Sequence, residues 1–383
     1  MSMAKKGRNL LSSNAFDKAY DTMMQTICER SLLSEDHACL LMVSGGSDST
    51  ALAYLMARLR QEEGVGALAM LHVNHMLRGP EADADAAFAE RLAAALDIPF
   101  FCCQIDIAAE ARMSGENVEA TARKERYVAA SEALSSMCEH EGFPLEKGRI
   151  VVAHSADDRI ENFFMRAIVG TGPGGFRSML YENGAVVRPL LDLARQDLRD
   201  AIQARQELGM PVISDAFGAL WREDATNAHT DRFRAYVRMN LVPRAREWNE
   251  NLTETLTRTM NLIADEDDYL AHLASLARNE NVERLDGDLP LAQGFFLSPA
   301  FAEVPLPIAR RVVHNCLKDM RGASARVDRA CVDAILDAFE DGTPKSGYVA
   351  NIQGDIAVSS NIRGVRVEFM ERFRQRRGRK LSR

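Results

Sequence analysis

The stretch Cys39-Leu40-Leu41-Met42-Val43-Ser44-Gly45-Gly46-Ser47-Asp48-Ser49-Thr50-Ala51-Leu52-Ala53-Tyr54-Leu55-Met56 runs from apolar residues through a Gly-rich turn into a helix-forming segment. Strand, turn and helix in that order make a phosphate site. Glycines at 45 and 46 let the backbone approach a ligand with no Cβ in the way, and a helix starting just beyond aims N–H groups and a positive dipole end at an anion. Ser44, Ser47 and Ser49 add hydroxyl donors. A Ser/Gly surface turn would suit the hexamer by itself; its flanks favour the phosphate reading.

Two common nucleotide-binding patterns are absent, because the loop has neither the lysine of G-x-x-x-x-G-K-[ST] nor the third glycine of G-x-G-x-x-G. Asp48 stands where a Walker loop has its lysine. A carboxylate beside phosphates repels them unless a cation lies between, so Asp48 reads as a Mg²⁺ contact, direct or through water. The S-G-G-x-D-S string resembles the PP-loop of the ATP pyrophosphatase superfamily, whose members cleave ATP between the α- and β-phosphates.

Outward from this loop, strands are expected at Ala38–Val43, Ala67–Val73, Phe100–Ile105 and Arg149–Ala153, with helices at about 49–62, 81–96, 116–138 and 157–168. Strands alternating with helices of that length imply βαβ units and a doubly wound parallel sheet, on which ligands gather beyond the strands' carboxyl ends. Gly170 to Gly175 is too rich in breakers to be anything but a loop, and is expected to close over the site. An amphipathic helix is expected from Arg195 to Leu208, a long one from about Leu252 to Asn279, then helices near Ile308–Asp319 and Asp328–Phe339 and strands at Tyr348–Ile352 and Val365–Phe369.

The chain's 383 residues allow two or three domains, and a composition 46% hydrophobic and 27% charged is that of a soluble globular protein. No apolar run reaches the ~18 residues of a membrane span and no secretory signal is evident, so a cytoplasmic protein is expected. Seven cysteines without a C-x-x-C pair argue against metal or disulfide scaffolding, and most are expected in the core. A net charge of −8 argues against indiscriminate nucleic-acid binding but not against a local basic face. Arg222 to Arg246 holds six arginines around Trp221, Phe233, Tyr236 and Trp248, aromatics that either stack on bases or lie in the core, and Arg372 to Arg383 holds seven Lys/Arg.

Three clusters fall at or near strand ends. His72-Val73-Asn74-His75-Met76-Leu77-Arg78 follows the second strand, and Asn117, Glu119, Arg123, Arg126 and Tyr127 lie on a helix beginning near Gly115. His154, Asp157, Asp158 and Glu161 follow the fourth strand. One carboxylate there would suit the helix dipole; three and a histidine point to a divalent cation or a cationic substrate. Duller readings stand beside these: a satisfied His72, Arg123 and Arg126 paired with Glu119 and Glu125, and Arg188 as a junction tie.

The ordered set S-G-G-S-D-S, H-V-N-H-M-L-R, N-V-E-A-T-A-R-K-E-R-Y, A-H-S-A-D-D-R-I-E, G-T-G-P-G-G, R-P-L-L, E-D-A-T-N and R-F-R-A-Y-V-R-M-N-L-V-P resembles the tRNA(Ile)-lysidine synthetase family from about residue 37 to 250, more weakly beyond. That resemblance implies an enzyme, a carbon–nitrogen ligase. It would adenylate C2–O of the wobble cytidine of tRNA(Ile) with a CAU anticodon, after which free L-lysine displaces AMP. The implied cofactors are ATP and Mg²⁺; the implied partners are that tRNA and lysine, with no membrane and a homodimer as one expected assembly.

By the same resemblance Ser44, Gly45, Gly46, Ser47, Asp48 and Ser49 hold ATP, bordered by His72 and Arg78; Asp48 and Asp157 hold metal; and Asp48, His154, Asp158, Glu161 and Arg123 are catalytic. Asn117, Glu119, Arg126, Arg188, Asn227, Arg234 and Arg238 would contact lysine or tRNA. The sequence departs from the family pattern at Ser155, Arg159 and Asn162, which replace a His, a Gln and a Thr, and at Val169 and Ala235, which replace an Arg and an Asn. The expected architecture is a PP-loop ATPase domain of the adenine nucleotide alpha hydrolase type over 37–215 after an N-terminal extension, 1–36. A mainly helical, α+β region, 216–370, binds tRNA and a basic tail, 371–383, follows; the length matches the family's short form. Competing readings are another PP-loop tRNA-modifying or amide-forming ligase, and a catalytically silent RNA-binding homologue.

Overall fold

The computed structural model describes residues 14–77, 79–222, 232–285, 293–322, 325–352 and 354–381. The chain divides into two compact units, Met1–Ile263 and Ala264–Arg383. Among the described residues no helix is long and apolar enough to cross a membrane.

The first unit runs α1 (Ala15–Glu29), β1 (Ala38–Met42), α2 (Ser47–Gln61), β2 (Ala67–Asn74), α3 (Pro80–Ala95), β3 (Phe100–Gln104), α4 (Ile107–Ser114) and α5 (Val118–Glu141). It continues through β4 (Gly148–Val151), α6 (Ala156–Val169), α7 (Pro173–Phe176), β5 (Glu182–Asn183), β6 (Val186–Val187), α8 (Arg195–Glu207), α9 (Arg232–Tyr236), a π-helical turn Val237–Leu241, and α10 (Val242–Trp248). Its sheet has the order β3-β2-β1-β4-β6-β5, parallel except for β5 at the edge. Ala38 on the central β1 lies opposite Ala67 and Gly148, which sets the strands' carboxyl ends side by side.

Alternation along β1 builds both faces of the doubly wound fold. Cys39 and Leu41 pack in a core with residues of α1, α2, α3 and α8; Ala38 and Leu40 pack against Ala130, Leu134, Met137 and Cys138 of α5. Such alternation is the period of a strand buried on both sides. A small third core joins Ile160 of α6 to Val237, Val242 and Met260, with Phe233 against it. Residues 216–263, read from the sequence with the second region, therefore include segments that pack within the first unit.

The structure corrects some local expectations. The helix placed at 116–138 starts at Val118, where Asn117 Oδ1 caps the Glu119 N–H at 2.8 Å, and a separate α4 precedes it. Within the Gly-rich loop, Pro173–Phe176 forms one helical turn, with Phe176 against Phe163. Cys102 is exposed and Cys103 half-buried because β3 is an edge strand, whereas Cys39, Cys138, Cys316 and Cys331 are buried.

The second unit contains most of α11 (Leu252–Asn281), then β7 (Val282–Arg284), β8 (Gly294–Leu297), α12 (Leu306–Arg321), α13 (Arg329–Leu336), β9 (Phe339–Glu340), β10 (Thr343–Pro344), β11 (Val349–Ile352), β12 (Ile356–Asn361), β13 (Gly364–Phe369) and α14 (Met370–Leu381). A five-stranded antiparallel sheet, β11-β12-β13-β8-β7, packs against the Ile308, Val312, Cys316 and Met320 stripe of α12.

Candidate active site

The loop between β1 and α2 takes the shape its residues require. Gly45 has φ +91°, a left-handed conformation that costs any L side chain about 1–2 kcal/mol. Ser49 Oγ donates to Gly46 O at 3.0 Å and accepts from Ser44 N at 3.2 Å, so the hydroxyl of the new helix closes the turn. Gly46 is the N-cap of α2 and no side chain caps it, which leaves the helix start to an anion.

The loop is braced from a distance. Arg222 N donates to Gly45 O at 2.9 Å, and the Arg222 guanidinium is held by Asp85 at 2.8 Å and Asp215 at 3.3 Å. His72 is buried with Nδ1 2.8 Å from Val43 O, so its imidazole supports the carbonyl just before the loop.

At the neighbouring strand end, Asp158 closes the N-terminus of α6: its carboxylate accepts from Ser155 N at 3.0 Å. The dipole reading thus accounts for one oxygen of Asp158. The rest of the cluster is an arginine–carboxylate network. Arg195 reaches Asp48 at 3.1 Å and Asp158 at 3.3 Å, while its backbone N–H donates to Asp157 at 2.7 Å. Arg234 contacts Glu161 at 2.9 Å and Asp158 at 3.0 Å; Arg238 binds Glu161 through two bonds of 2.7 and 3.1 Å; Arg246 contacts Asp157 at 2.8 Å. The structure brings Asp48, Asp157, Asp158 and Glu161 together, and each carries a guanidinium. A site read as acidic is close to neutral, because four arginines enter it from residues 195 to 246.

Electrostatics sort the titratable groups. Burial pushes the Asp48 carboxyl up, against the pull of Arg195. Burial also opposes charge on Asp158, yet His154, Arg195, the Ser155 N–H and Arg234 together hold that carboxyl below its usual range. Burial pushes the His154 imidazole down to about 4, with Asp158 opposing and Arg188 assisting. A neutral ring agrees with its geometry, since His154 Nδ1 accepts from Arg188 Nε at 3.3 Å. Arg188 is itself buried and donates to Leu180 O at 2.9 Å.

Other residues singled out from the sequence lie outside this network. Asn117 is spent on its helix cap and Glu119 is exposed. Arg123 is exposed over the Tyr127 ring but near enough to His154 to act on its charge. Arg126 bonds His75 at 3.1 Å. Arg78 and Asn227 fall outside the described residues. Sequence reading missed Arg195, Arg222 with Asp85, and the specific role of Arg246; the one local signal was that Arg195 opens an amphipathic helix soon after Arg188-Pro189-Leu190-Leu191. At the variant position, Arg159 is fully buried, 2.9 Å from Tyr181 Oη and 3.4 Å from Asp192.

The aromatics separate cleanly. Phe233 packs on the small core and Trp221 packs against the main core beneath Arg199, whereas Tyr236 and Trp248 are 57% and 93% exposed.

Known proteins match this chain along most of its length. A family profile described as the PP-loop domain matches residues 14–245. A tRNA(Ile)-lysidine synthase of Geobacillus kaustophilus is 30% identical over 334 residues, 86% of this chain and 66% of the relative. Those of Solibacter usitatus and Clostridium acetobutylicum are each 30% identical, over 77% and 86% of this chain and 60% and 66% of the relatives. The chain thus spans slightly less than two thirds of the length of these curated relatives.

Proposed function

The chain belongs to the PP-loop family, and from that premise we propose that it is an ATP-dependent ligase joining free L-lysine to the wobble cytidine of a tRNA(Ile) with a CAU anticodon. Relatives 30% identical to it over 77–86% of the chain are named for that modification. The observation that carries the proposal is the placement of Asp48, Asp158 and Glu161 around Arg195, within ion-pair reach of one guanidinium and at the end of the Gly-rich loop.

Two steps follow from the chemistry. The cytidine C2 oxygen attacks the α-phosphorus of ATP and pyrophosphate leaves; the Ser44 to Ser49 loop holds the phosphates, and Arg123 is assigned to the α-phosphate. The lysine ε-amine then attacks C2, the C2–O bond breaks, AMP leaves, and a carboxylate takes the proton. Asp158 and Glu161 are assigned to the lysine amines, exchanging guanidinium for ammonium. His154, neutral near pH 7, adds no opposing charge there.

Mg²⁺ commonly takes one or two carboxylates plus phosphate oxygens. Asp48 and Asp157 have the right oxygens and lie within reach of the same arginine residue, so they fit such an ion once it competes with Arg195 and Arg246 for them. Bound there, the ion would neutralise phosphate charge.

The test is incubation with Mg-ATP, labelled lysine and transcribed tRNA(Ile) bearing CAU. Lysine incorporation that disappears in Asp48→Ala and with a tRNA(Met) control is the expected result. AMP release without incorporation would move the proposal to another amine or RNA, and no ATP turnover would defeat it.

A further inference from the structure

The segment from α9 to α10 has two unlike sides. Its inner side sends Arg234, Arg238 and Arg246 to the carboxylates and seats Phe233, Val237 and Val242 in the small core. Two residues along a helix is about 200° of rotation. Tyr236 stands two residues from both Arg234 and Arg238, and Trp248 two from Arg246, so both rings point away from the arginines. Tyr236, Asn240, Arg244 and Trp248 follow at four-residue steps, a stripe along one side.

We propose that this outer stripe stacks unpaired bases of a single-stranded RNA loop whose reacting nucleotide lies at the carboxylates, with Trp248 and Tyr236 as the platforms. The inference rests on the reading above that the substrate is a tRNA. A tryptophan is ordinarily well buried, yet Trp248 is 93% exposed, and among the described residues neither its ring nor that of Tyr236 has an aromatic or guanidinium contact. The surroundings argue against a protein partner. Trp248 stands among Arg244, Glu247, Asn249, Glu250 and Asn251, which break up the contiguous apolar area that a stable protein interface buries. A base needs only the face of one ring; Glu247 and Glu250 repel phosphate beside it, so the backbone must be held from the Arg244 side. Arg244 lies one turn before Trp248 on the same side and, among the described residues, is engaged only in an exposed pair with Glu247, the weak kind of contact that yields to a phosphate. Tyr236 and Trp248 are separated by a π-helical turn and the α10 helix, a rise somewhat under the ~18 Å of twelve α-helical residues and room for several nucleotides.

The chain has two tryptophans, so Trp221→Phe leaves Trp248 as the reporter. Titration with an anticodon stem-loop should quench its fluorescence saturably, and a fully paired duplex should not. Trp248→Ala should raise the KM for tRNA on the order of tenfold, Trp248→Phe should recover most of that, and the KM for ATP should stay put. Stem-loop binding that leaves Trp248 emission unchanged, or a wild-type tRNA KM in Trp248→Ala, would overturn the stacking surface. So would an RNA-independent blue shift on concentration with a dimer by light scattering, which would assign the face to a second copy. Quenching without lysine incorporation or ATP turnover would sink the ligase reading and keep the surface; incorporation with a silent Trp248 would do the reverse.

Discussion

His154 shows how one residue's surroundings override its ordinary chemistry. Its imidazole is pushed down to about 4 from 6.5, chiefly by burial. A group whose folded pKa is depressed contributes stability that is present above its unfolded value and lost as pH falls through the folded value. Between pH 6.5 and pH 4 the native state should therefore lose about 3 kcal/mol through this group. His154→Gln should remove that share of the pH dependence, read as a smaller difference between urea midpoints at pH 7 and pH 4.5 than in the unaltered protein. Equal differences in both proteins would show that the ring titrates normally.

At the scale of elements, the seat of the α9–α10 segment matters more than its helical propensity. The segment is short, contains a π-helical turn, and is held by Val237, Val242 and Phe233 against Ile160 and Met260. Met260 is fully buried, and truncating such a side chain typically costs about 2–5 kcal/mol. Met260→Ala should lower the thermal midpoint and, by loosening Arg234 and Arg238 over Glu161, raise the KM for lysine and for tRNA more than that for ATP. The ATP loop has its own brace, from Arg222 N to Gly45 O, and should be little affected. An equal rise in all three constants would contradict this division of labour.

For the whole molecule, a net charge of −8 opposes a polyanionic partner at long range, so the RNA affinity proposed above would have to come from local contacts. Each phosphate neutralised by a cationic side chain adds about 0.7–0.9 to the slope of log affinity against log salt. With only a few such contacts, tRNA binding should weaken by about tenfold or more between 50 and 200 mM salt. Filter binding across that range checks it; a flat profile would mean that stacking alone carries the complex.

Much of the first unit was legible in the chain. Apolar runs between Gly-rich turns located β1 to β4, and the β1–α2 loop required glycine at 45 because the backbone there is left-handed. These features are local, set by neighbours a few residues apart. Strands β8 and β12 were not foreseen although they are no shorter than β4 and β13, which were; each is fixed in its sheet by pairing with the strands beside it. The same reason hid the character of the site. Asp48, Asp157, Asp158 and Glu161 announce themselves by spacing along one loop and one helix turn, but their neutralisation by Arg195, Arg234, Arg238 and Arg246 depends on through-space distances between residues tens of positions apart. Likewise the aromatics near the arginines read alike in sequence, and only packing decided which are core and which face water. Neighbours a few residues apart were enough to place the Gly-rich β1–α2 loop, the order of the βαβ units and the carboxylates beside them; the charge of that cluster and its solvent face came from packing, because Coulomb interactions and burial depend on position in space and not on position in the chain.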